Sequence, residues 1–221
     1  MRPFFMEERR IKFDYTARYY TIGELSEDPT QEVWIVLHGY GQLAKYFVQK
    51  FRSVVRDGAF VVAPEGLSLF YLQGTDGRVG ASWMTREFRE QAINNYTTYL
   101  QHIYQSLPLQ SKRIVLFSFS QGGATLIRWV VRYQVPFQKM IVWAGGFPPD
   151  VDPVACQEVF RNKSLFYVYG DEDEYISSKG IAKQKALFQQ FHFHPNIIQF
   201  RGKHVIDPEV LSQIQQKSRS K

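Results

Sequence analysis

Apolar residues fall along this chain in two rhythms. Short dense runs at 33–37, 60–63, 114–119, 140–144, 165–169 and 196–200 read as strands. An earlier stretch, 13–20, alternates bulky and polar residues and predicts an antiparallel strand. Between the runs the spacing becomes helical: 43–55, stopped by Asp57-Gly58, then a stretch capped by Thr85 and ended by Pro108. In that second helix Phe88, Ala92, Tyr96, Leu100 and Ile103 share one face. A third follows 114–119 at once, with Leu126, Ile127, Val130 and Val131 on one stripe. Ser177 opens another that runs to about 191, and Asp207-Pro208 caps the last. Residues 66–83 fit neither rhythm and predict a long irregular segment, with four glycines and several apolar residues, that could wall or cover a site. Strands alternating with helices imply an α/β fold with a mostly parallel central sheet and helices on both faces. A length of 221 residues suits one domain, 1–221.

Sheets of this kind bind ligands beyond the carboxyl ends of their strands. The run 114–119 ends in Ser120-Gln121-Gly122-Gly123 directly before a helix. Strand, sharp turn and helix with a serine at the apex is the layout of a nucleophile elbow. The strained apex requires small residues two positions away on each side. Ser118 and Gly122 meet that requirement around Ser120, whereas a nucleophile at Ser118 would put Leu116 in the crowded position. The usual pattern is G-x-S-x-G, so Ser118 stands where a glycine is expected.

The remaining strand ends carry His38-Gly39-Tyr40-Gly41, Gly145-Gly146, Asp171-Glu172-Asp173-Glu174 and His204. A serine hydroxyl becomes a nucleophile when a histidine removes its proton, and a carboxylate must orient that histidine. Serine, acid and histidine in that chain order is the α/β-hydrolase order. His204, in the loop after the last strand, is the candidate base. His102 sits within a helix among polar neighbours, and His192 and His194 have H-x-H spacing but no third metal ligand nearby. Spacing does not choose among the four carboxylates. The main-chain N–H of Gln121, and one from the 38–41 turn, are candidate oxyanion donors.

A second reading competes for that turn. Gly39 to Ala44 fits G-x-G-x-x-A between a strand and a helix, and Glu65 ends the next strand where a ribose-binding acid would fall. A dinucleotide-binding protein would leave Ser120, the acidic run and His204 without a role. A third reading is a hydrolase scaffold that binds ligand without turning it over.

Composition narrows the setting. The net charge is +6, but the basic residues are scattered, with small clusters at Arg9-Arg10-Lys12 and Lys217, Arg219 and Lys221, and no nucleic-acid motif accompanies them. A single cysteine, Cys156, excludes an internal disulfide framework and makes a reducing compartment the default. Residues 1–8 are charged too early for the apolar core of a signal peptide, and no run is long enough to span a bilayer.

Several stretches together resemble the phospholipase/carboxylesterase family of small α/β-hydrolases, which includes acyl-protein thioesterases. They are Leu37-His38-Gly39-Tyr40-Gly41, Ala63-Pro64, Trp83, Phe119-Ser120-Gln121-Gly122-Gly123-Ala124, Gly170 to Ile176, and Gly202-Lys203-His204. The resemblance implies an α/β-hydrolase fold and a Ser120, Asp173, His204 triad, with Asp173 chosen by the family's G-x-x-D-x-x-V segment. It maps the second oxyanion donor to Tyr40, beside Gln121. It also implies hydrolysis of small carboxylic esters or thioesters without cofactor, in the cytoplasm; the residues themselves suggest no metal, no nucleic acid and no stable membrane anchor, and they leave a homodimer open. Candidates for an apolar acyl wall are Leu67, Leu69, Phe70, Tyr71, Trp83 and Phe147. The chain departs from the family at Ser118, at Gln42-Leu43 where many members carry an aspartate, and in 66–83, which matches only at Trp83.

Overall fold

The computed structural model describes residues 5–216, so the 217–221 basic cluster and the first half of the 1–8 segment lie outside the described residues. Its elements in chain order are β1 (Tyr19–Ile22), β2 (Glu32–Leu37), α1 (Ala44–Phe47), a 3₁₀ turn (Val48–Phe51), α2 (Arg52–Arg56), β3 (Phe60–Pro64), β4 (Ser68–Gln73) and β5 (Asp76–Ser82). Then come α3 (Arg89–Ser106), β6 (Arg113–Phe119), α4 (Gly122–Tyr133), β7 (Lys139–Trp143), α5 (Pro153–Phe160), β8 (Ser164–Gly170), α6 (Ser178–Gln190), β9 (Asn196–Phe200) and α7 (Pro208–Gln216). Seven strands form one sheet in the order β1-β3-β2-β6-β7-β8-β9, parallel throughout except for β1 against β3.

The central strands are buried on both faces, which is why their sequence reads as unbroken apolar runs. Successive residues still alternate between two cores. Val33, Ile35 and Leu37 of β2, with Ile114 and Leu116 of β6, face the layer containing Tyr96, Leu100, Leu126 and Val130 of α3 and α4. Trp34 and Val36, with Val115, Phe117 and Phe119, face the layer that holds Phe47, Val54, Leu211 and Ile214 from α1, α2 and α7.

Several expectations hold at the level of single residues. Ser177 caps α6, its hydroxyl accepting from the Gly180 N–H at 3.1 Å. The Asp207 carboxylate accepts from the N–H groups of Glu209 and Val210 at 3.0 and 2.9 Å, holding open the start of α7.

Others are corrected. Only Tyr19 and Tyr20 of the 13–20 stretch enter a strand, because β3 offers pairing partners to Tyr19–Ile22 alone. The helix expected over 43–55 is broken by the 3₁₀ turn into two short pieces. Thr85 does not cap α3: its hydroxyl donates to the Glu87 carbonyl, and Phe88 occupies the cap in a left-handed conformation (φ 53°), its side chain exposed rather than on the buried stripe. Helix α5, capped by Asp152 through the Val154 N–H at 2.9 Å, has no counterpart in the sequence pattern because eight residues give too few turns for a periodic stripe. The largest correction is 66–83, which forms an antiparallel hairpin of β4 and β5 instead of an irregular loop. Gly74 (φ 61°) and Gly77 (φ 84°) adopt the left-handed backbone its turn needs, and apolar residues on both faces of β4 hide the alternation that would mark a strand.

Candidate active site

The turn after β6 has the backbone of an elbow. Ser120 takes φ 53°, its N–H donates to the Trp143 carbonyl at 2.9 Å, and its own carbonyl accepts from Gly123 at 3.0 Å. A Cβ on Gly122 would lie 2.6 Å from the Leu37 carbonyl oxygen, so no other residue fits this close crossing of α4 over β2. Ser118, in the place of the usual glycine, is fully buried in β6, and its hydroxyl reaches the Ile141 carbonyl of β7 at 3.4 Å. The extra oxygen therefore turns along the sheet and finds an acceptor there.

Among the four carboxylates after β8, Asp173 alone is buried; Asp171, Glu172 and Glu174 face solvent. Its Oδ2 lies 2.7 Å from His204 Nδ1, and its Oδ1 accepts from the Tyr175 N–H at 2.9 Å. The His204 ring is held between Phe119, with centroids 4.7 Å apart, and Tyr175, which meets it edge-on at 4.7 Å. Because Phe119 precedes Ser120, this contact ties the histidine to the elbow. The loop beyond is anchored by Trp143 Nε1–H, which donates to the Val205 carbonyl at 2.9 Å.

The turn after β2 completes the set. Its N–H groups at Gly39, Gly41 and Gln42 donate respectively to Gln42 Oε1 (2.9 Å), the Ala81 carbonyl (2.9 Å) and the Gly39 carbonyl (3.2 Å). The Tyr40 N–H has no acceptor among the described residues, and neither has the Gln121 N–H. His38 is fully buried beneath this turn. Its Nε2 accepts from the Gly66 N–H at 2.9 Å, so the proton sits on Nδ1 and is donated to the Gly39 carbonyl at 2.7 Å. Burial pushes the His38 pKa down to about 4, outweighing the opposite pull of that hydrogen bond to Gly39.

Hairpin β4–β5 leans against the same turn. Gln42 and Ala81 form an isolated antiparallel bridge, made by the Gly41 N–H to the Ala81 carbonyl at 2.9 Å and the Ala81 N–H to the Gln42 carbonyl at 3.2 Å, and a Cβ on Gly80 would come within 2.5 Å of the Gly41 oxygen. The base of the hairpin is tied to the elbow by the Gln121 side chain, which accepts from the Trp83 N–H at 3.1 Å and donates to the Met84 carbonyl at 2.8 Å. Of the wall candidates, Phe70 packs on Tyr40 with centroids 5.0 Å apart, and Leu69 and Tyr71 are exposed beside it. Trp83 and Phe147 are buried, packed into the core. Trp83 stacks on His38 at 4.9 Å and donates to its carbonyl, while Phe147 packs among Phe160, Phe188 and Phe193.

Gln42, the Gln121 side chain and Tyr175 are the parts of this arrangement that sequence reasoning missed. Each acts by bonding main chain or by touching a ring, and neither leaves a periodic signal. Glu65, the ribose-binding candidate, is buried and occupied: Oε1 accepts from Arg18 and Oε2 from the Ala44 N–H at 2.9 Å. His192 and His194 lie at the surface, and among the described residues no group of three or more His, Cys, Asp or Glu side chains could hold a metal ion.

The sheet order, the elbow and the residues gathered at the strand ends define an α/β-hydrolase fold. The family model for phospholipase/carboxylesterase matches residues 22–219, and the chain belongs to that family. Solved structures of similar shape include Zea mays acyl-protein thioesterase 2, with TM-score 0.71 and 14% identity over 93% of this chain and 99% of that one. They also include the Bacillus cereus carboxylesterase, with TM-score 0.68 and 14% identity over 92% and 94%. The esterase PE8 has TM-score 0.68 and 17% identity over 91% and 97%. No significant match is found among curated proteins.

Proposed function

We propose that this chain is a serine hydrolase that cleaves small carboxylic esters or thioesters through an acyl-enzyme. His204, oriented by Asp173, takes the hydroxyl proton of Ser120 as Ser120 Oγ adds to the substrate carbonyl. The carbonyl oxygen becomes an oxyanion received by the N–H groups of Tyr40 and Gln121. The bond to the alcohol or thiol then breaks, and the proton held by His204 goes to that leaving group. Water, deprotonated by His204 in turn, releases the acid and restores Ser120.

The observation that carries this proposal is the pairing of a left-handed Ser120 at the end of β6 with a buried Asp173–His204 contact of 2.7 Å. A left-handed serine between a buried strand and a helix is the backbone of a nucleophile elbow, and the paired acid and histidine distinguish it from the left-handed Phe88, which caps α3. Membership of the phospholipase/carboxylesterase family supports a hydrolase, and the thioesterase and carboxylesterase of the same fold suggest either leaving group. The single cysteine, Cys156, suits a reducing compartment, and on that ground we take the site of action to be the cytoplasm. The test is a fluorophosphonate probe with the adduct mapped by mass spectrometry. Labelling at Ser120 that disappears in His204→Ala is expected; an unlabelled wild-type protein with unchanged fold overturns the proposal.

A further inference from the structure

We infer that Gln42 is a positioning residue for the oxyanion site, fixing the direction of the Tyr40 N–H. The inference rests on the serine-hydrolase proposal and adds to it a side chain that touches neither substrate nor reacting atoms. An oxyanion donor contributes in proportion to how firmly it is aimed before the charge appears. What holds the aim here can be followed along three consecutive peptide planes.

The plane before Tyr40 joins His38 to Gly39. Its carbonyl accepts from Trp83 Nε1–H at 2.9 Å, and its N–H donates to Gln42 Oε1 at 2.9 Å. The middle plane carries the Gly39 carbonyl and the Tyr40 N–H, which point in opposite directions because the peptide is trans. That carbonyl accepts from the Gln42 N–H at 3.2 Å and from His38 Nδ1–H at 2.7 Å. Fixing the carbonyl therefore aims the N–H on its far side. The third plane is held through the Gly41 N–H on the Ala81 carbonyl, and the Ala81 N–H returns to the Gln42 carbonyl.

Gln42 enters this scheme with its side-chain oxygen, its N–H and its carbonyl. The side-chain contact is the replaceable one. Gly39 is buried, so without Oε1 its N–H would be left without a partner or would turn toward another acceptor. Gly39 and Gly41 have no side chains to resist such a rotation, and Gly41 already sits at φ 73°. Rotation of the first plane then works against the two bonds that remain on the Gly39 carbonyl, and the Tyr40 N–H is aimed less firmly while Ser120, Asp173 and His204 stay where they are.

The test uses full-length Gln42→Met, which keeps length and volume but lacks the oxygen, and Gln42→Asn, which sets the oxygen back by one methylene. Ester turnover is measured with p-nitrophenyl butyrate, and oxyanion affinity with a trifluoromethyl ketone that adds to Ser120. For Gln42→Met we expect kcat to fall about 10–100-fold, a fraction of what losing a whole oxyanion donor costs, with KM within about twofold. Ketone affinity should fall by the same factor, while the midpoint of the acid limb of kcat/KM stays in place. Gln42→Asn should fall between, and serves as the readout should Gln42→Met not fold. The inference is overturned if Ser120 is labelled and required but both folded variants keep wild-type kcat and ketone affinity. If instead Ser120→Ala retains full activity, the serine-hydrolase proposal fails, and this inference with it.

Discussion

Lowering the pH from 7 to 4 asks for a charge on an imidazole that the fold holds away from water. His38 is fully buried, its Nε2 already accepts from the Gly66 N–H, and a proton there would collide with that donor. Its pKa is pushed down to about 4 from an ordinary value near 6.5. The unfolded chain therefore binds this proton at a higher pH than the folded one. Stability contributed by the neutral, buried histidine is fully present above about pH 6.5 and is lost as the pH falls toward 4. A displacement of roughly 2.5 pKa units at about 1.4 kcal/mol each gives a loss on the order of 3 kcal/mol over that window. A loss of that size is a large fraction of a typical domain's stability. Other groups titrate in the same range, so the measurement is a comparison. Urea unfolding of wild type and His38→Gln is followed at half-unit steps from pH 7.5 to 4. Glutamine can still accept from Gly66 but cannot titrate. The variant should start less stable, and the gap should close or reverse by about 3 kcal/mol as pH falls, with m-values unchanged. Parallel curves would refute the assignment of this proton to His38.

Two further outcomes follow from named contacts. Asp173→Asn keeps an oxygen for the Tyr175 N–H but turns an amide N–H toward His204 Nδ1, forcing the ring proton onto the nitrogen that, in the proposed mechanism, receives one from Ser120. Ester hydrolysis should fall about 10⁴-fold, or on the order of 5 kcal/mol, with the thermal midpoint little changed, and a loss of under tenfold would contradict the assigned role. Glu65→Gln faces Arg18 with an amide group and weakens the hold on the Ala44 N–H. It should cost about 1.5–3 kcal/mol in urea unfolding, as expected for charge-assisted bonds to a buried acceptor, and a shift below half a kcal/mol would mean that Arg18 and α1 find other partners.

The fold was legible where burial on two faces leaves a dense apolar signature. Strands β2, β3, β6, β7 and β8 fall within a residue or two of the runs that predicted them, and their alternation with helices led to the parallel sheet. It was illegible where an element is short or two-sided. Phe70 packs toward Tyr40 while Leu69 and Tyr71 lie in the open, so β4 is apolar over 69–72 without being buried, and the glycines around it resemble a loop. Phe88 shows a different failure: its spacing fits the α3 stripe, but its left-handed backbone lies outside the helix and turns the ring to solvent.

At the candidate site, position in the sheet did most of what sequence could do. Ser120, Asp173 and His204 follow β6, β8 and β9, and a parallel sheet delivers all three ends to one side. Spacing could not choose Asp173 from its three neighbours because the choice depends on which carboxylate turns inward. The chain sets that turn through the Tyr175 N–H on Oδ1 and the Asp173 carbonyl bonded to Ile176. The supporting layer was less visible still. His38 and Gln42 look like ordinary polar residues beside a glycine-rich turn, yet they engage the Gly39 N–H and carbonyl and leave the Tyr40 N–H without an acceptor among the described residues. The Gln121 side chain similarly ties Trp83 and Met84 to the elbow while its own N–H stays open. One open donor, Tyr40, thus lies next to Gly41 and Gln42, which bond the β4–β5 hairpin, and the other belongs to Gln121, whose side chain holds the hairpin's base. Displacing the hairpin would therefore pull on both turns at once, through the Ala81 bonds to Gly41 and Gln42 and through the Gln121 side chain at the elbow.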